Sequence, residues 1–145
     1  VLTAQLERLP EQILLRRRNA ALLAAEIAGV DGIILQQWPA EAAVHSHYLQ
    51  LARVDARRFG HTRDEFHRAL TSRGVPCTPF YPHTLYRNPL YRQGGCRVEP
   101  CPVAEQCVRD AFWLPHRVLM SPPETIREIA ALIREIHATA GRYAE

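Results

Sequence analysis

Apolar side chains recur at helical spacing over the first 28 residues. They occupy positions 2, 6, 9, 13, 20, 23 and 27, as on the inner face of an amphipathic helix. Pro10 interrupts the pattern, so either the helix bends there or a second helix begins with Pro10 in its first turn. Gly29 suits a left-handed cap that ends the helix. We expect part of this apolar stripe to pack against protein that lies outside these 145 residues.

The next segment reads as two strands and a helix. "GIILQQW" (32–38) predicts a short strand, and "SHYLQLARV" (46–54) predicts a longer one because its apolar residues partly alternate. Thr62 with Glu65 forms a capping-box pattern that begins a helix, and Gly74 ends it.

The second half of the chain continues with shorter elements. "VPCTPF" (75–80) predicts a strand at a sheet edge, because its prolines cannot complete a central ladder. Residues 81–99 read as irregular structure, residues 102–111 as a short helix and residues 112–116 as a fourth strand.

The chain closes on an amphipathic helix. Ser121 with Glu124 is a second capping-box pattern, with Pro122 at the first helical position. The inner face of this helix carries Ile126, Ile129, Ala130, Ile133 and Ile136. The order of elements predicts an α/β fold in which helices cover a small mixed or antiparallel sheet.

Composition narrows the class of protein. The chain is 47% hydrophobic and 23% charged, which is ordinary for one globular domain. It contains no apolar run long enough for a membrane span. All 18 basic residues are arginine, so the chain alone supports no reaction that requires a lysine amine. We expect a cytoplasmic protein with reduced cysteines, and the start at Val1 suggests a piece of a longer polypeptide.

A metal site has little support in the sequence. Cys96, Cys101 and Cys107 are separated by four and five residues, and His45 and His47 lie upstream. Structural zinc sites generally use closer pairs. We therefore expect no metal. We also expect Cys77 and Cys107 to act as small buried hydrophobic residues.

Two other functional classes are weakly supported. The runs "RRR" (16–18) and "ARR" (56–58) would suit a nucleic-acid binder, but acidic residues lie between the arginines along the chain. A self-contained enzyme would need a nucleophile–base pair such as Cys77 with His83. Proximity along the chain does not establish that geometry.

The stretch "TPFYPHTLYRNPLY" (78–91) is the most informative segment for function. It holds three prolines and four aromatic rings just after a predicted strand, where α/β folds place ligand-contacting side chains. Tyr81, His83 and Tyr86 either bind a hydroxyl-rich ring substrate or help to anchor a long loop. For the apolar members, namely Phe80, Leu85, Leu90 and the ring of Tyr91, we favour loop anchoring.

Several motifs in order resemble one family. These are "AQLERLPEQILLRRRNA" (4–20), "SHYLQLARV" (46–54), "DEFHRALTSRGVPCTPFY" (64–81), "LYRNPLYR" (85–92), "CPVAE" (101–105) and "WLPHRVLM" (113–120). Together they resemble the C-terminal domain of the DegT/StrS family, the fold-type-I, pyridoxal-phosphate-dependent aminotransferases that act on keto-sugars and cyclitols. The match is nearest to the branch for cyclitol amines and aminated aromatic precursors.

The resemblance implies a division of labour within a longer enzyme. Residues 1–145 would be the small C-terminal domain, without cofactor-binding or catalytic residues of its own and inactive alone. The large domain would carry the pyridoxal phosphate and its lysine, and the enzyme would be a homodimer that takes its amino group from glutamine or glutamate.

The resemblance also assigns individual residues. Tyr81 would be a substrate-binding residue, joined by His83 and Tyr86. Many sugar-nucleotide members carry histidine where this chain has Phe80, which favours a cyclitol-type or other keto substrate. His116 is either shifted relative to the family pattern or structural. The alternatives are a non-catalytic α/β interaction module and an Arg-rich nucleic-acid-binding domain.

Overall fold

A four-stranded antiparallel sheet organises the structure, a computed structural model that describes residues 2–39, 41, 44–92 and 97–140. The strands lie in the order β1-β2-β4-β3. Their bounds are Ile33–Leu35 (β1), Leu49–Val54 (β2), Thr78–Pro79 (β3) and Ala111–Pro115 (β4). Of the two predicted sheet types, the antiparallel one is therefore confirmed, and β3 lies at an edge as its prolines predicted.

The helices account for most of the remaining chain. Their bounds are Leu2–Glu26 (α1), Ala56–Phe59 (α2), Arg63–Ser72 (α3), Pro89–Arg92 (α4), Pro102–Asp110 (α5), His116–Leu119 (α6) and Pro123–Thr139 (α7), with a 3-10 turn at Leu85–Arg87. The segment predicted to be irregular therefore contains two short helical turns.

One face of the sheet forms the core. Side chains alternate along β2, so Gln50, Ala52 and Val54 are buried while Leu49, Leu51 and Arg53 lie half-buried on the opposite face. The buried face packs against α1, α3 and α7. The predicted inner face of α7 is confirmed, because all five of its apolar residues are buried. The opposite face of the sheet is covered only in part, by α5.

Helix α1 divides into two halves. It runs through Pro10 as a single helix, so the alternative of a second helix starting there is wrong. Ala20, Leu23 and Ile27 at its C-terminal end are buried in the core, whereas Leu6 and Leu14 are exposed. The apolar stripe is thus only partly covered by the described residues.

The turn after α1 differs from the prediction. Gly29 does not adopt the left-handed conformation, which instead occurs at Gly32 with φ of 81°. A Cβ atom at Gly32 would overlap the backbone of Phe59. Close packing of α2 against this turn therefore requires glycine three residues later than expected.

The two capping-box predictions have opposite outcomes. At α3, the Thr62 N–H donates to Glu65 Oε2 over 2.7 Å, and the Glu65 N–H donates to Thr62 Oγ1 over 3.3 Å, so the box is confirmed. At α7 the prediction for Ser121 and Glu124 is wrong, because the cap is Pro122, which makes no side-chain cap bond, and the helix begins at Pro123. Proline in the first turn lacks an N–H that would need an acceptor.

Candidate functional site

The aromatic loop after β3 forms the wall of a cavity of about 700 Å³. Residues 80–86 and Asn88 supply one side, and Cys101 and Ala104 at the start of α5 supply the other. Tyr81, His83 and Tyr86 therefore line one cavity. Their role in substrate binding stays a prediction.

Tyr81 presents its ring at the mouth of this cavity. Its side chain is 65% exposed, and its ring contacts Phe80 edge-on with a centroid distance of 5.0 Å. The ring of Trp113 lies 5.9 Å from Phe80 and 6.1 Å from Tyr81. The exposed ring of Tyr81 thus packs against the rings of Phe80 and Trp113. Such a supported aromatic ring can contact the flat face of a ring substrate.

Tyr86 has a different environment from Tyr81. Its hydroxyl donates to Glu105 Oε1 over 2.6 Å, and Arg87 donates to the same oxygen over 2.8 Å. The hydrogen bond from Tyr86, followed by the charge of Arg87, lowers the pKa of Glu105. The Tyr86 hydroxyl donates its hydrogen bond to Glu105 and so joins the loop to α5. Tyr86 also lines the cavity.

Sequence reasoning missed Thr84 in this cavity. Its side chain is only 7% exposed, and its Oγ1 atom has no hydrogen-bond partner among the described residues. His83 beside it is half-buried. No local sequence pattern predicts that Thr84 is buried, because its burial depends on the path of the loop against α5.

The anchoring prediction holds for Phe80 and fails for the leucines. Phe80 packs on Trp113, but Leu85 is 70% exposed and Leu90 is 76% exposed. Tyr91 is also exposed. Edge-to-face aromatic contacts of Phe80 and the Tyr86–Glu105 hydrogen bond hold the loop. Its two leucines do not contribute to this anchoring.

Three histidines predicted as possible site residues lie elsewhere. His116 stacks on Tyr48 with a centroid distance of 5.2 Å. His45 stacks on Trp38 at 3.5 Å, and the His47 N–H donates to His45 Nδ1 over 3.1 Å. Desolvation lowers the pKa of His45 and is the first cause that lowers the pKa of His47, ahead of the charge on His45.

The cysteines do not form a metal centre in the described part of the chain. Among residues 2–39, 41, 44–92 and 97–140 there is no group of three side chains that could hold a metal ion. Cys96 lies outside the described residues. Cys77 is buried as predicted, and desolvation raises the pKa of its thiol to about 12, so it is unsuited to act as a nucleophile with His83. Cys107 is half-buried.

The described surface contains many paired arginines and no membrane helix. Carboxylates pair with arginines at Asp31–Arg58, Glu135–Arg73 and Glu26–Arg134. Such pairing opposes a continuous basic face for nucleic acid.

None of the described helices is both long and apolar enough to cross a bilayer.

The fold matches that of aminotransferases of fold type I. The chain superposes with a TM-score of 0.81 and 28% identity on the crystal structure of 3-amino-5-hydroxybenzoic acid (AHBA) synthase, covering 94% of this chain and 37% of that one. The sequence model of the DegT/DnrJ/EryC1/StrS aminotransferase family matches residues 1–134. The chain belongs to this family.

Two relatives are similar over nearly the whole chain. The chain is 29% identical to 3-amino-5-hydroxybenzoate synthase of Amycolatopsis mediterranei (strain S699), over 97% of its own length and 37% of the relative's. It is also 29% identical to L-glutamine:2-deoxy-scyllo-inosose aminotransferase of Streptomyces lividus, over 94% of its own length and 36% of the relative's. The chain thus spans little more than a third of these relatives.

Proposed function

We propose that residues 1–145 are the C-terminal small domain of a pyridoxal-phosphate-dependent aminotransferase. The main support is the family match over residues 1–134. The chain also spans only 37% of a relative's length, as one domain of a longer enzyme would. The exposed Leu6 and Leu14 on α1 support it, because a further domain would cover them. The enzyme moves an amino group from glutamine or glutamate to a keto-cyclitol or keto-sugar, and it acts as a cytoplasmic homodimer.

The cofactor belongs to the rest of the enzyme. Pyridoxal phosphate is held covalently by a lysine amine in such enzymes and supplies the electron sink for amino transfer. This chain contains no lysine, so it cannot form that covalent bond. We therefore assign no cofactor contact to its residues. Its part in the reaction is to shape the substrate cavity.

Within the cavity we assign substrate contacts to Tyr81, His83 and Tyr86. Tyr81 offers an exposed ring and hydroxyl, and His83 offers a half-buried imidazole that can exchange hydrogen bonds with substrate hydroxyls. Tyr86 contributes its ring, since Glu105 holds its hydroxyl. Phe80 adds an aromatic wall to the cavity, which suits an aromatic precursor.

Absorbance and amino transfer test the proposal. The longer polypeptide that contains this chain should bind pyridoxal phosphate with a visible absorbance band that borohydride removes, and the 145-residue chain should show none. The same polypeptide should transfer nitrogen from ¹⁵N-labelled L-glutamine to a keto-cyclitol, detected by mass spectrometry. Absence of the band from the longer polypeptide would refute the assignment.

Variants test the cavity separately from the class of enzyme. Tyr81→Phe and His83→Ala should raise KM for the keto substrate about tenfold, a loss expected for one substrate hydrogen bond. Leu90→Ala is the matched control, since Leu90 lies on the same loop, is 76% exposed and does not line the cavity. Equal KM values for all three variants would refute the assignment of substrate contacts to Tyr81 and His83. The proposal that the enzyme is an aminotransferase would not be affected.

A further inference from the structure

Arg63 joins α3 to the point at which α5 passes into β4. It is the first residue of α3, and its side chain is only 11% exposed. Its guanidinium donates to the Ala111 carbonyl at the start of β4 over 2.6 Å and to the Val108 carbonyl near the end of α5 over 3.2 Å. These acceptors lie 48 and 45 positions away along the chain, so the contact is purely tertiary.

The position of Arg63 is unfavourable for a cation within its own helix. The amino-terminal end of a helix carries partial positive charge and prefers acidic residues, such as Asp64 and Glu65 in the same turn. The carboxyl-terminal end of α5 carries partial negative charge and leaves carbonyls without partners inside the helix. Although Asp64 accepts a hydrogen bond from Arg63 Nε, the remaining donors serve α5 and β4. The contact with these elements therefore explains an arginine at this position.

The Ala111 carbonyl is also the attachment point of the aromatic loop. The Phe80 N–H donates to it over 2.9 Å, so the same oxygen accepts one hydrogen bond from Arg63 and one from the start of the loop. A carbonyl oxygen has two lone pairs, and both bonds form together. Phe80 precedes Tyr81 and lines the cavity that Tyr81 and His83 line. Arg63 thus reaches the loop through one shared backbone oxygen.

The opposite wall of this cavity belongs to α5. Cys101 and Ala104 supply that wall, and Glu105 of the same helix accepts the hydrogen bond of Tyr86. The loop and α5 are therefore joined at two places. One is the bond between Tyr86 and Glu105, and the other is the junction that Arg63 holds.

The junction that Arg63 holds also borders a second cavity. This cavity has a volume of about 420 Å³ and lies at the partly covered face of the sheet. Phe80, Cys107 and Ala111 line it together with residues of β1 and β2. Arg63 lines neither cavity, so its effect on a ligand passes through the residues that it holds in place.

We propose that Arg63 is a positioning residue that holds α5 and the aromatic loop at the separation that substrate binding requires. The inference rests on the proposed function, because it takes the cavity of Tyr81 and His83 as the substrate cavity. Without the two bonds of Arg63, the end of α5 and Phe80 separate more often, and fewer molecules hold a cavity of the right shape. Saturating substrate restores that shape, so the loss affects KM and leaves kcat nearly unchanged.

Steady-state kinetics of the longer polypeptide test the proposal. Arg63→Met removes the donors and keeps a long side chain. It should raise KM for the keto substrate about fivefold or more, with kcat changed by less than about twofold, as expected when only the binding-competent fraction falls. Arg63→Lys keeps the charge but not the planar donor pair, and it should raise KM by a smaller factor.

Two control variants separate this effect from loss of charge and from loss of stability. Arg68 is exposed on the same helix and donates to the Asp64 carbonyl of that helix, so Arg68→Met should leave KM unchanged. Asn19 is buried, bonds the turn between α6 and α7 and lines neither cavity. Asn19→Ala should therefore lower the melting temperature without raising KM.

Three kinetic results would overturn the role of Arg63. They are an unaltered KM in Arg63→Met, a fall in kcat alone, and an equal rise of KM in Asn19→Ala. Should Arg63→Met fail to fold, Arg63→Lys decides the matter, since an unaltered KM in that variant would also overturn the role.

Hydrogen exchange measured by mass spectrometry gives a readout that does not depend on turnover. In Arg63→Met, peptides that contain the Phe80 amide and the end of α5 should exchange faster, while α7 keeps its protection. Unchanged exchange at both sites would refute the positioning role. A failure of the unaltered polypeptide to transfer nitrogen would instead refute the proposed function, so the two failures are distinguishable.

Discussion

The hydroxyl of Tyr86 donates a 2.6 Å hydrogen bond to the carboxylate of Glu105, nineteen positions further along the chain. This bond joins the aromatic loop to α5 beside the cavity that Tyr81 and His83 line. It therefore gives the loop a fixed attachment that its exposed leucines do not provide.

Removal of the Tyr86 hydroxyl should change the titration of Glu105. Tyr86→Phe deletes the largest cause of the lowered Glu105 pKa, so that pKa should rise towards its ordinary value. Carbon-detected NMR titration of the carboxyl group measures the change. The exposed Arg97→Gln, whose arginine pairs with Glu99, is the control and should leave the Glu105 pKa unchanged.

The same pair should make loop attachment depend on pH. The folded pKa of Glu105 is lowered, so its contribution is fully present above the unfolded carboxyl pKa and is lost as pH falls through the folded value. Limited proteolysis of the loop should accelerate in that acidic range in the unaltered protein. If Tyr86→Phe showed the same pH dependence as the unaltered protein, this attachment would be disproved.

Asn19 should be important for the stability of the helical layer. Its side chain is fully buried, and its amide nitrogen donates to the backbone carbonyls of Leu119 over 2.8 Å and Ser121 over 2.9 Å. Asn19→Ala removes the donor to the buried Leu119 carbonyl and to the part-buried Ser121 carbonyl, which should lower the free energy of unfolding by about 2–3 kcal/mol. Urea denaturation measures the loss.

An exposed amide provides the comparison for Asn19. Gln37→Ala removes a solvated side chain and should alter stability by less than about 0.5 kcal/mol. Equal effects of the two substitutions would show that the bridge from α1 to the α6–α7 turn adds no stability.

Cysteine labelling should separate buried from exposed thiols. Desolvation raises the pKa of Cys77 to about 12, so this thiol stays protonated and unreactive at pH 8. Cys101 is exposed. Iodoacetamide followed by mass spectrometry should modify Cys101 in the folded protein and Cys77 only after denaturation; comparable rates for both thiols would contradict the buried position.

Features that depend on neighbouring residues were readily predicted. The spacing of Thr62 and Glu65 was enough to locate the start of α3, and the isoleucine spacing of α7 located its buried face. The same kind of inference failed at Ser121, because two successive prolines displaced the cap by one residue. Local patterns report which residues suit a helix end, but several adjacent residues can compete for that position.

Features that join distant segments were beyond such reasoning. Nothing near Tyr86 indicates that Glu105 accepts its hydrogen bond, and nothing near Arg53 indicates that Ala111 lies beside it. Both relationships arise from strand order and from the packing of α5. The loop that holds Tyr81 and His83 could thus be identified from its rings and prolines, whereas the second cavity required the assembled sheet.

The shared wall at Phe80 has an evolutionary consequence. Because Phe80 lines both cavities, a replacement at this position reshapes both of them in a single mutational step. Substitutions around either cavity should then depend on the identity of residue 80, so their effects combine non-additively. Sequence change around the two cavities would then proceed through linked sets of substitutions that include this position.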